Sequence, residues 1–375
     1  MTPKQRMLTA LTRGQPDRLP VTTHHVMKYF LDTSLGGVTD IEFFDKFGLD
    51  AYRWLVPILG EPGKSWVDEQ GHLQSDHWRI TRAATTGGAF PGERYCIQTP
   101  RGQLSTEIQR NVYTEWVTER PVKVKRDIDL LAEYLPAPAC DREQVNRAAA
   151  EFGQRGLVRG HIPCFDLYGQ PGCWQDAACL VGIEKLILAT YDDPQWVHEL
   201  LDVLQRRKLA FIRTLKGAAY DLLELGGGDA SSTVISPKIF DRFVAPYDSG
   251  LIEAAHAAGQ RIVYHTCGGM MPLLERIADM APDAMETLTP PGMGGDVRLA
   301  EVKRRVGKRV CLIGGFDQFH FFIHNTPENT RAEVRRCFAE AGPGGGFILS
   351  PSDHFFDVDL ELVAAFADEA RKCIY

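Results

Sequence analysis

The stretch Arg261-Ile-Val-Tyr-His-Thr-Cys-Gly-Gly269 joins a short apolar run to two residues that often bind metals. The run favours a buried strand, and His265 and Cys267 follow where that strand should end. Residues two apart in an extended chain point to the same side, so the imidazole and the thiol should project together. Such a pair suits zinc. The alternative is a capping histidine beside a buried cysteine.

Seven other apolar runs along the chain resemble this strand. From the third run onward they alternate with helical segments, which is typical of a parallel sheet, and eight such units favour a closed barrel. We therefore predict an α/β protein with a (β/α)8 TIM barrel in a single domain, residues 1–375. A doubly wound sheet is the alternative, but no glycine-rich nucleotide motif follows a predicted strand. The predicted strands lie near positions 20, 51, 158, 222, 263, 284, 311 and 348.

Residues 60–125 differ from the rest of the chain in composition and in hydrophobic pattern. Glycine and threonine are frequent there, and short β-like runs alternate with turns. This pattern predicts an inserted antiparallel hairpin section near the N-terminus. The section is too short for a core of its own, so we expect it to form a lid or rim of the barrel.

The composition argues against several classes of protein. The chain has 375 residues, 44% of them hydrophobic, and a net charge of −7, which gives no support for nucleic-acid binding. No apolar run approaches the roughly 18 residues of a membrane span, and the polar N-terminus is unlike a signal peptide. The nine cysteines form no C-x-x-C pair and are expected to be reduced thiols. These features predict a cytoplasmic protein that does not act at a membrane.

The predicted strand ends are rich in residues that bind metals or transfer protons. In a barrel of this kind the chemistry lies at the carboxyl ends of the strands. The sequence therefore predicts a metal enzyme. The residues at these ends are His24, His25, His161, Tyr168, Glu224, Asp229, His265, Cys267, Glu286, Asp317, His320, Asp353 and His354.

Two positions could complete a site around His265 and Cys267. Glu286 ends the next strand and is either a ligand or part of a salt bridge. Asp353 or His354 ends the last strand, and one residue of register decides which of them faces the pocket. Either could complete a tetrahedral set of nitrogen, sulfur and oxygen ligands.

Several motifs, spread over nearly the whole chain, are typical of one family. They are Arg6-Met-Leu-Thr-Ala-Leu11, Pro16-Asp-Arg-Leu-Pro-Val21, Asp193-Pro-Gln-Trp-Val-His-Glu-Leu-Leu201, Ile235-Ser-Pro-Lys-Ile-Phe240, Pro246-Tyr247, His265-Thr-Cys-Gly268 and Gly346-Phe-Ile-Leu-Ser-Pro351. In these motifs the sequence resembles the uroporphyrinogen decarboxylase superfamily, which also contains corrinoid-dependent methyltransferases. The resemblance implies a (β/α)8 barrel, in agreement with the strand count.

The residues that hold a porphyrin in the true decarboxylases have no counterpart here. The family resemblance implies a pair of arginines after the first strand, but Thr22-Thr-His-His-Val-Met-Lys-Tyr-Phe30 contains none. It also implies an aspartate after the second strand, where this chain has Trp54-Leu-Val-Pro-Ile58. A substrate with many carboxylates needs cationic groups to hold it. Decarboxylation of uroporphyrinogen is therefore not expected.

The methyltransferase branch fits the motifs better. Its members hold zinc with a His-x-Cys pair and a third cysteine; His265 and Cys267 match the pair, and Asp353 stands at the third position. A carboxylate makes the metal a harder Lewis acid than a thiolate does, which suits an oxygen substrate such as a methyl ether. The distant zinc methionine synthases also place a glutamate on the following strand, which implicates Glu286.

The sequence thus predicts a zinc-dependent methyltransferase, with an O-demethylase that acts on a methyl ether as one candidate type. Zn²⁺ would act as a Lewis acid, and a corrinoid (methylcobalamin) on a partner protein would exchange the methyl group with a small molecule. The predicted residues are His265, Cys267, Glu286 and Asp353 for the metal, Glu224, Asp229 and His354 for catalysis, and His25, Tyr168 and His161 for substrate.

Two other functions are compatible with the same pocket. One is a metal-independent decarboxylase of a small aromatic or heteroaromatic acid. The other is a binding protein that kept the barrel and lost the chemistry, although the density of ligand-type residues argues against it. The sequence leaves open the methyl donor and acceptor, the corrinoid partner, and whether the chain forms a homodimer.

Overall fold

The core of the molecule is a sheet of seven parallel strands that follow one another in chain order. A computed structural model describes residues 1–86 and 88–375. Each strand pairs in parallel with the next one along the chain. The strands are β1 (Ala51–Trp54), β2 (Gly156–His161), β3 (Leu222–Gly226), β4 (Ile262–His265), β5 (Ala284–Glu286), β6 (Cys311–Phe316) and β7 (Phe347–Pro351).

A short extended segment around Val21 closes the sheet into a barrel. Val21 forms a parallel bridge with Leu349 of β7, and the amide of Thr22 donates to the carbonyl of Leu349 at 3.0 Å. On the other side, the amide of Asp50, just before β1, donates to the carbonyl of Val21 at 2.7 Å. This segment takes the place of the eighth strand, and the predicted (β/α)8 barrel is confirmed.

Helices alternate with the strands, and their apolar faces pack against the outer side of the sheet. Several begin at the caps that their sequence predicts. Asp193, for example, directly precedes Pro194, the first residue of its helix, and its side chain accepts from the amide of Trp196. No helix within the described residues is long and apolar enough to cross a membrane. The helices are Pro3–Leu11, Lys28–Leu35, Asp40–Phe47, Asp127–Tyr134, Arg142–Phe152, Cys173–Val181, Ile183–Asp192, Pro194–Arg213, Pro237–Ile239, Phe240–Val244, Ala245–Ala257, Leu274–Asp279, Leu299–Val306, Gln318–Phe321, Pro327–Ala341 and Leu360–Lys372.

The first part of the region between β1 and β2 consists of antiparallel strands and their turns. Ser65–Val67 pairs with Leu73–Ser75, and a separate four-stranded sheet follows. These strands lie within the stretch predicted as an insertion, 60–125. Trp78, Ile97 and Leu104 are buried in the main core, so the section is anchored to the barrel. The four strands are Arg79–Thr85, Gly92–Thr99, Gly102–Arg110 and Glu115–Glu119.

The first helix, Pro3–Leu11, closes the amino end of the barrel. Its residues Met7, Ala10 and Leu11 are buried against inward-facing side chains of the strands. Burial of a large apolar side chain contributes about 1.5–3 kcal/mol, so this contact stabilises the closed end. The inward-facing residues are Tyr52, Leu157, Leu222, Val263, Ala284, Cys311, Ile313 and Ile348.

The polar residues of the barrel interior lie one layer above this apolar plug. Side chains of a strand alternate between its two faces, so the residue two positions further along each strand also points inward. At this second level the apolar side chains give way to an aromatic residue and four charged or titratable ones. They are Trp54, Arg159, Glu224, His265 and Glu286.

Candidate metal and active site

His265 ends β4, and its ring meets the side chain of Cys267. Nε2 of His265 lies 3.0 Å from Sγ of Cys267. The two-residue spacing places both side chains on the inner face, as the sequence predicts. Gly268 has a positive φ of 91°, which allows the chain to turn away directly after the pair.

Two buried carboxylates lie beside this pair. Glu286 of β5 is next to His265 in the sheet register, and its Oε1 lies 3.1 Å from Nδ1 of His265. Glu224 of β3 lies on the other side of β4. His265 therefore faces a thiol with one ring nitrogen and a carboxylate with the other.

Arg159 of β2 holds both carboxylates from below. Its guanidinium donates to Glu224 at 2.9 Å and to Glu286, and its side chain is 0% exposed. The guanidinium also stacks on the ring of Trp54, with a centroid distance of 4.4 Å. Removing this cation would leave two negative charges in a buried site, which is costly. The sequence reasoning missed Arg159, although a charged residue inside the apolar run Gly156-Leu-Val-Arg-Gly160 was the available signal.

The charges of the cluster support one another. Burial raises the pKa of Glu286, but Arg159 and His24 outweigh it and hold this pKa well below its usual range. Burial also raises the pKa of Glu224, but His265 and His24 outweigh burial and lower this pKa. Burial alone would lower the pKa of His265, but Cys267 and Glu224 raise it. Both carboxylates are thus ionised and act as hydrogen-bond acceptors.

His24 follows the short extended segment around Val21, and its side chain contacts both carboxylates. Its Nε2 lies 2.8 Å from Oε2 of Glu224 and 3.3 Å from Oε1 of Glu286. The indole of Trp54 donates to the carbonyl of His24 at 2.9 Å and so fixes the backbone. The sequence analysis placed His24 at a strand end but gave it no role.

His25 and His354 lie next to His24. The ring of His25 stacks on Trp54 with a centroid distance of 4.2 Å, and the ring of His354 lies 5.6 Å from that of His25. Burial lowers the pKa of His25 to about 2 and that of His354 to about 4. Both rings are therefore neutral at pH 7, the form in which histidine binds metals.

Two groups of side chains are compact enough to hold a metal ion. In each group the candidate ligand atoms lie within 4.8 Å of one another. One group is His24, Glu224, His265 and Glu286, and the other is His24, His25 and His354.

Cys267 offers a sulfur donor beside the first group. It contacts Nε2 of His265, on the side of the ring away from Glu286. On a tetrahedral zinc, bonds of about 2.0 and 2.3 Å would place nitrogen and sulfur roughly 3.5 Å apart. The observed 3.0 Å between Nε2 and Sγ needs only a small movement, so these two donors fit the ion. Nδ1 of the same ring would then keep its contact with Glu286.

Asp353 does not join these residues. Its side chain is 40% exposed, and its Oδ1 accepts from the amide of His354 and lies 3.5 Å from Nδ1 of that ring. Of the two candidates after β7, it is His354 that belongs to a compact group. Its Nε2 is buried and has no hydrogen-bond partner in the described part of the chain.

The other predicted residues lie apart from these groups. His161 contacts the carbonyl of Ile162 through Nδ1 at 2.9 Å, and burial lowers its pKa. Asp229 and Tyr168 line a small polar cavity of about 250 Å³ together with Arg120. Burial raises the pKa of Asp229, and its Oδ2 accepts from Gln175 at 2.8 Å.

The fold and these residues define a barrel protein with a polar, metal-capable cluster at the carboxyl ends of its strands, the position of active sites in barrel enzymes. The chain belongs to the uroporphyrinogen decarboxylase family. The family described as Uroporphyrinogen decarboxylase (URO-D) matches residues 157–373, more than half of the chain.

Curated relatives are similar at low identity. The uroporphyrinogen decarboxylase of Psychromonas ingrahamii is 27% identical over 243 residues, which cover 62% of this chain and 64% of the relative. That of Aliivibrio salmonicida is 26% identical over 269 residues, 68% of this chain and 70% of the relative. The first match thus spans less than two thirds of that enzyme's length.

A solved structure matches nearly the whole fold. A methyltransferase from Methanosarcina mazei aligns over 99% of both chains with a TM-score of 0.63 and 16% sequence identity. The two proteins therefore share one barrel architecture.

Proposed function

We propose that the chain is a zinc-dependent methyltransferase that moves a methyl group between a small molecule and a corrinoid on a partner protein. The observation that carries the proposal is the contact between His265 and Cys267 at the open end of the barrel. A nitrogen and a sulfur donor lie together there beside buried carboxylates, and zinc binds donors of both kinds. The barrel fold shared with the methyltransferase from Methanosarcina mazei is compatible with the same class of reaction.

His265 and Cys267 would hold the ion in this proposal. Zinc bound there would act as a Lewis acid and stabilise negative charge on the heteroatom that carries or receives the methyl group. Glu286 accepts from Nδ1 of His265 and so fixes the ring with Nε2 towards the thiol. Arg159 holds Glu286 in place from below.

Glu224 and His24 would shape the wall of the substrate pocket. Glu224 stays ionised and accepts from Nε2 of His24, so it positions this ring and does not donate a proton. The polar cavity lined by Asp229, Tyr168 and Arg120 would take a polar end of the substrate. Because Asp353 and His354 stand where the methyltransferase branch has its third zinc cysteine, the ion would carry a single thiolate ligand, which is why we propose methyl ethers as substrates.

A metal-independent decarboxylase is the second candidate, and the names of the curated relatives favour it. Its substrate would be a small aromatic or heteroaromatic acid. Nη2 of Arg159 already contacts two carboxylates and the side chain is fully buried, so this residue is poorly placed to hold the acid group. Arg120, in the polar cavity, would have to do so.

Metal analysis of the protein purified without chelator separates the two candidates. We expect the parent protein to retain zinc through buffer exchange. Cys267→Ser should lose one equivalent of this zinc, and the control Cys96→Ser should keep it. The same preparations are then assayed for methyl transfer from aryl methyl ethers to a reduced cobalamin. Absence of any Cys267-dependent metal, after zinc has been added back, would exclude the methyltransferase mechanism.

A further inference from the structure

The group His24, His25 and His354 lies beside the pair His265 and Cys267 but includes neither of these two residues. We propose that these three histidines form a second metal site, which takes a divalent transition ion with all-nitrogen ligands. The candidate ligand atoms lie within 4.8 Å of one another. The proposal does not depend on the ion at Cys267.

The orientation of the rings supports the site. Nε2 of His24 contacts Glu224, and the structure describes no hydrogen bond for its Nδ1. Nδ1 of His354 lies 3.5 Å from Asp353, and its buried Nε2 has no partner among the described residues. A histidine that ligates a metal usually contacts a carboxylate or carbonyl with its other nitrogen, and two of the three rings have this arrangement.

The backbone around the rings is held firmly. Trp54 stacks on His25 and donates to the carbonyl of His24. Gln318 accepts from the amide of Ser352 at 3.0 Å and donates to the carbonyl of His354 at 3.3 Å. The bridge between Val21 and Leu349 brings together the two segments that carry the histidines, which are more than 300 residues apart in sequence.

The geometry of the group suits an ion with an open position. Nitrogen ligands on a tetrahedral ion lie roughly 3.3 Å apart, from bonds of about 2.0 Å, so small rotations of His25 and His354 would close the group. Both residues are partly exposed at the mouth of the barrel, which leaves the fourth position to water or substrate. Three protein ligands with a fourth open position are typical of catalytic sites. Imidazole donors suit zinc, cobalt, nickel or copper.

Titration of the chelator-treated protein with Co²⁺ tests the proposal. Cobalt at Cys267 gives an intense thiolate-to-cobalt absorption band, whereas cobalt held by imidazoles gives weak ligand-field bands only. We expect two equivalents of Co²⁺ per chain after buffer exchange, one of each kind. Elemental analysis of the same samples gives the count.

Three variants and one control assign the two equivalents. His25→Ala and His354→Ala should each lose one equivalent and keep the thiolate band. Cys267→Ser should lose the band and keep the other equivalent, and the exposed His77→Ala should keep both. A parent protein with a single equivalent that carries the thiolate band overturns the three-histidine site, whether or not the variants fold. A parent protein that binds one equivalent without the thiolate band contradicts the proposed function instead and supports the three-histidine site.

Discussion

Nδ1 of His265 lies 3.1 Å from Oε1 of Glu286, while Nε2 of the same ring faces Cys267. An imidazole binds a metal through one nitrogen, and its other N–H donates to an acceptor that fixes the ring. In the proposed zinc site Glu286 would therefore orient His265 and would not itself bind the metal. The sequence suggested a ligand because Glu286 ends the neighbouring strand.

The first prediction separates an orienting role of Glu286 from a ligand role. Glu286→Gln keeps the shape of the side chain but weakens the acceptor, so we expect metal affinity to fall about 10- to 100-fold with unchanged stoichiometry. Competition against a chelating dye measures the affinity. Glu275→Gln, at an exposed ion pair with Arg305, serves as the control. Loss of the metal at saturating concentration would instead identify Glu286 as a ligand.

The second prediction concerns the buried cation beneath the site. Arg159→Met leaves Glu224 and Glu286 without their shared partner, and breaking a buried ion pair costs about 3–5 kcal/mol. Urea unfolding should therefore show a large fall in the midpoint.

A double variant checks the cause of that loss. Arg159→Met with Glu286→Gln removes one of the stranded charges and should recover part of the stability. Arg309→Met, which breaks an exposed pair with Asp279, should change the midpoint little. If the double variant is no more stable than Arg159→Met alone, lost packing rather than stranded charge explains the effect.

The layout of the barrel could be predicted from sequence because each strand carries its own signal. Apolar runs identify the strands, and side chains alternate in direction along a strand, which places His265 and Glu286 on the inner face. The structure confirms the (β/α)8 fold and sets these two residues side by side. Arg159 obeys the same alternation, but sequence alone does not reveal that two carboxylates from β3 and β5 pair with it. Pairing of this kind depends on the closure of the barrel.

The role of His24 was harder to predict. The strand before it consists of one bridge, from Val21 to Leu349, so it offers no alternation from which to assign side-chain directions. The choice between Asp353 and His354 has the same origin, because both lie beyond the end of β7. In both loops, tertiary contacts decide which side chain faces the pocket.

The third prediction concerns the seam where the barrel closes. Asp50 is fully buried; its side chain accepts from the amide of Val21 at 3.0 Å and from Arg6 at 2.6 Å, and it contacts Arg18 at 3.3 Å. Asp50→Ala leaves two cations and a backbone amide without this acceptor, and we expect a loss of about 3–5 kcal/mol in urea unfolding. Asp45→Ala, at an exposed pair with Arg155, is the matched control. A loss no larger than that of the control would show that the seam is held by backbone hydrogen bonds alone.

The fourth prediction is a pH dependence of stability that arises from Asp248. This carboxyl group is buried behind β4, where it accepts from the hydroxyl of Tyr264 at 3.1 Å and the amide of Cys173 at 3.3 Å. Burial raises the pKa of Asp248 to about 6, from 3.8 for the free side chain. The folded protein therefore binds a proton between these two pH values that the unfolded chain has already released.

The sign of the effect follows from this difference. The contribution of Asp248 is fully present below about pH 4, falls as the pH rises, and is lost above about pH 6. The raised pKa corresponds to about 3 kcal/mol, at about 1.4 kcal/mol per unit. Asp248→Asn mimics the protonated form, so it should be more stable than the parent by about 3 kcal/mol at pH 8 and by only about 1 kcal/mol at pH 4.5. Urea unfolding at several pH values measures the difference, with Asp279→Asn at an exposed ion pair as the control. If the advantage of Asp248→Asn is the same at both pH values, the side chain does not change its protonation in this range, and packing must explain the gain.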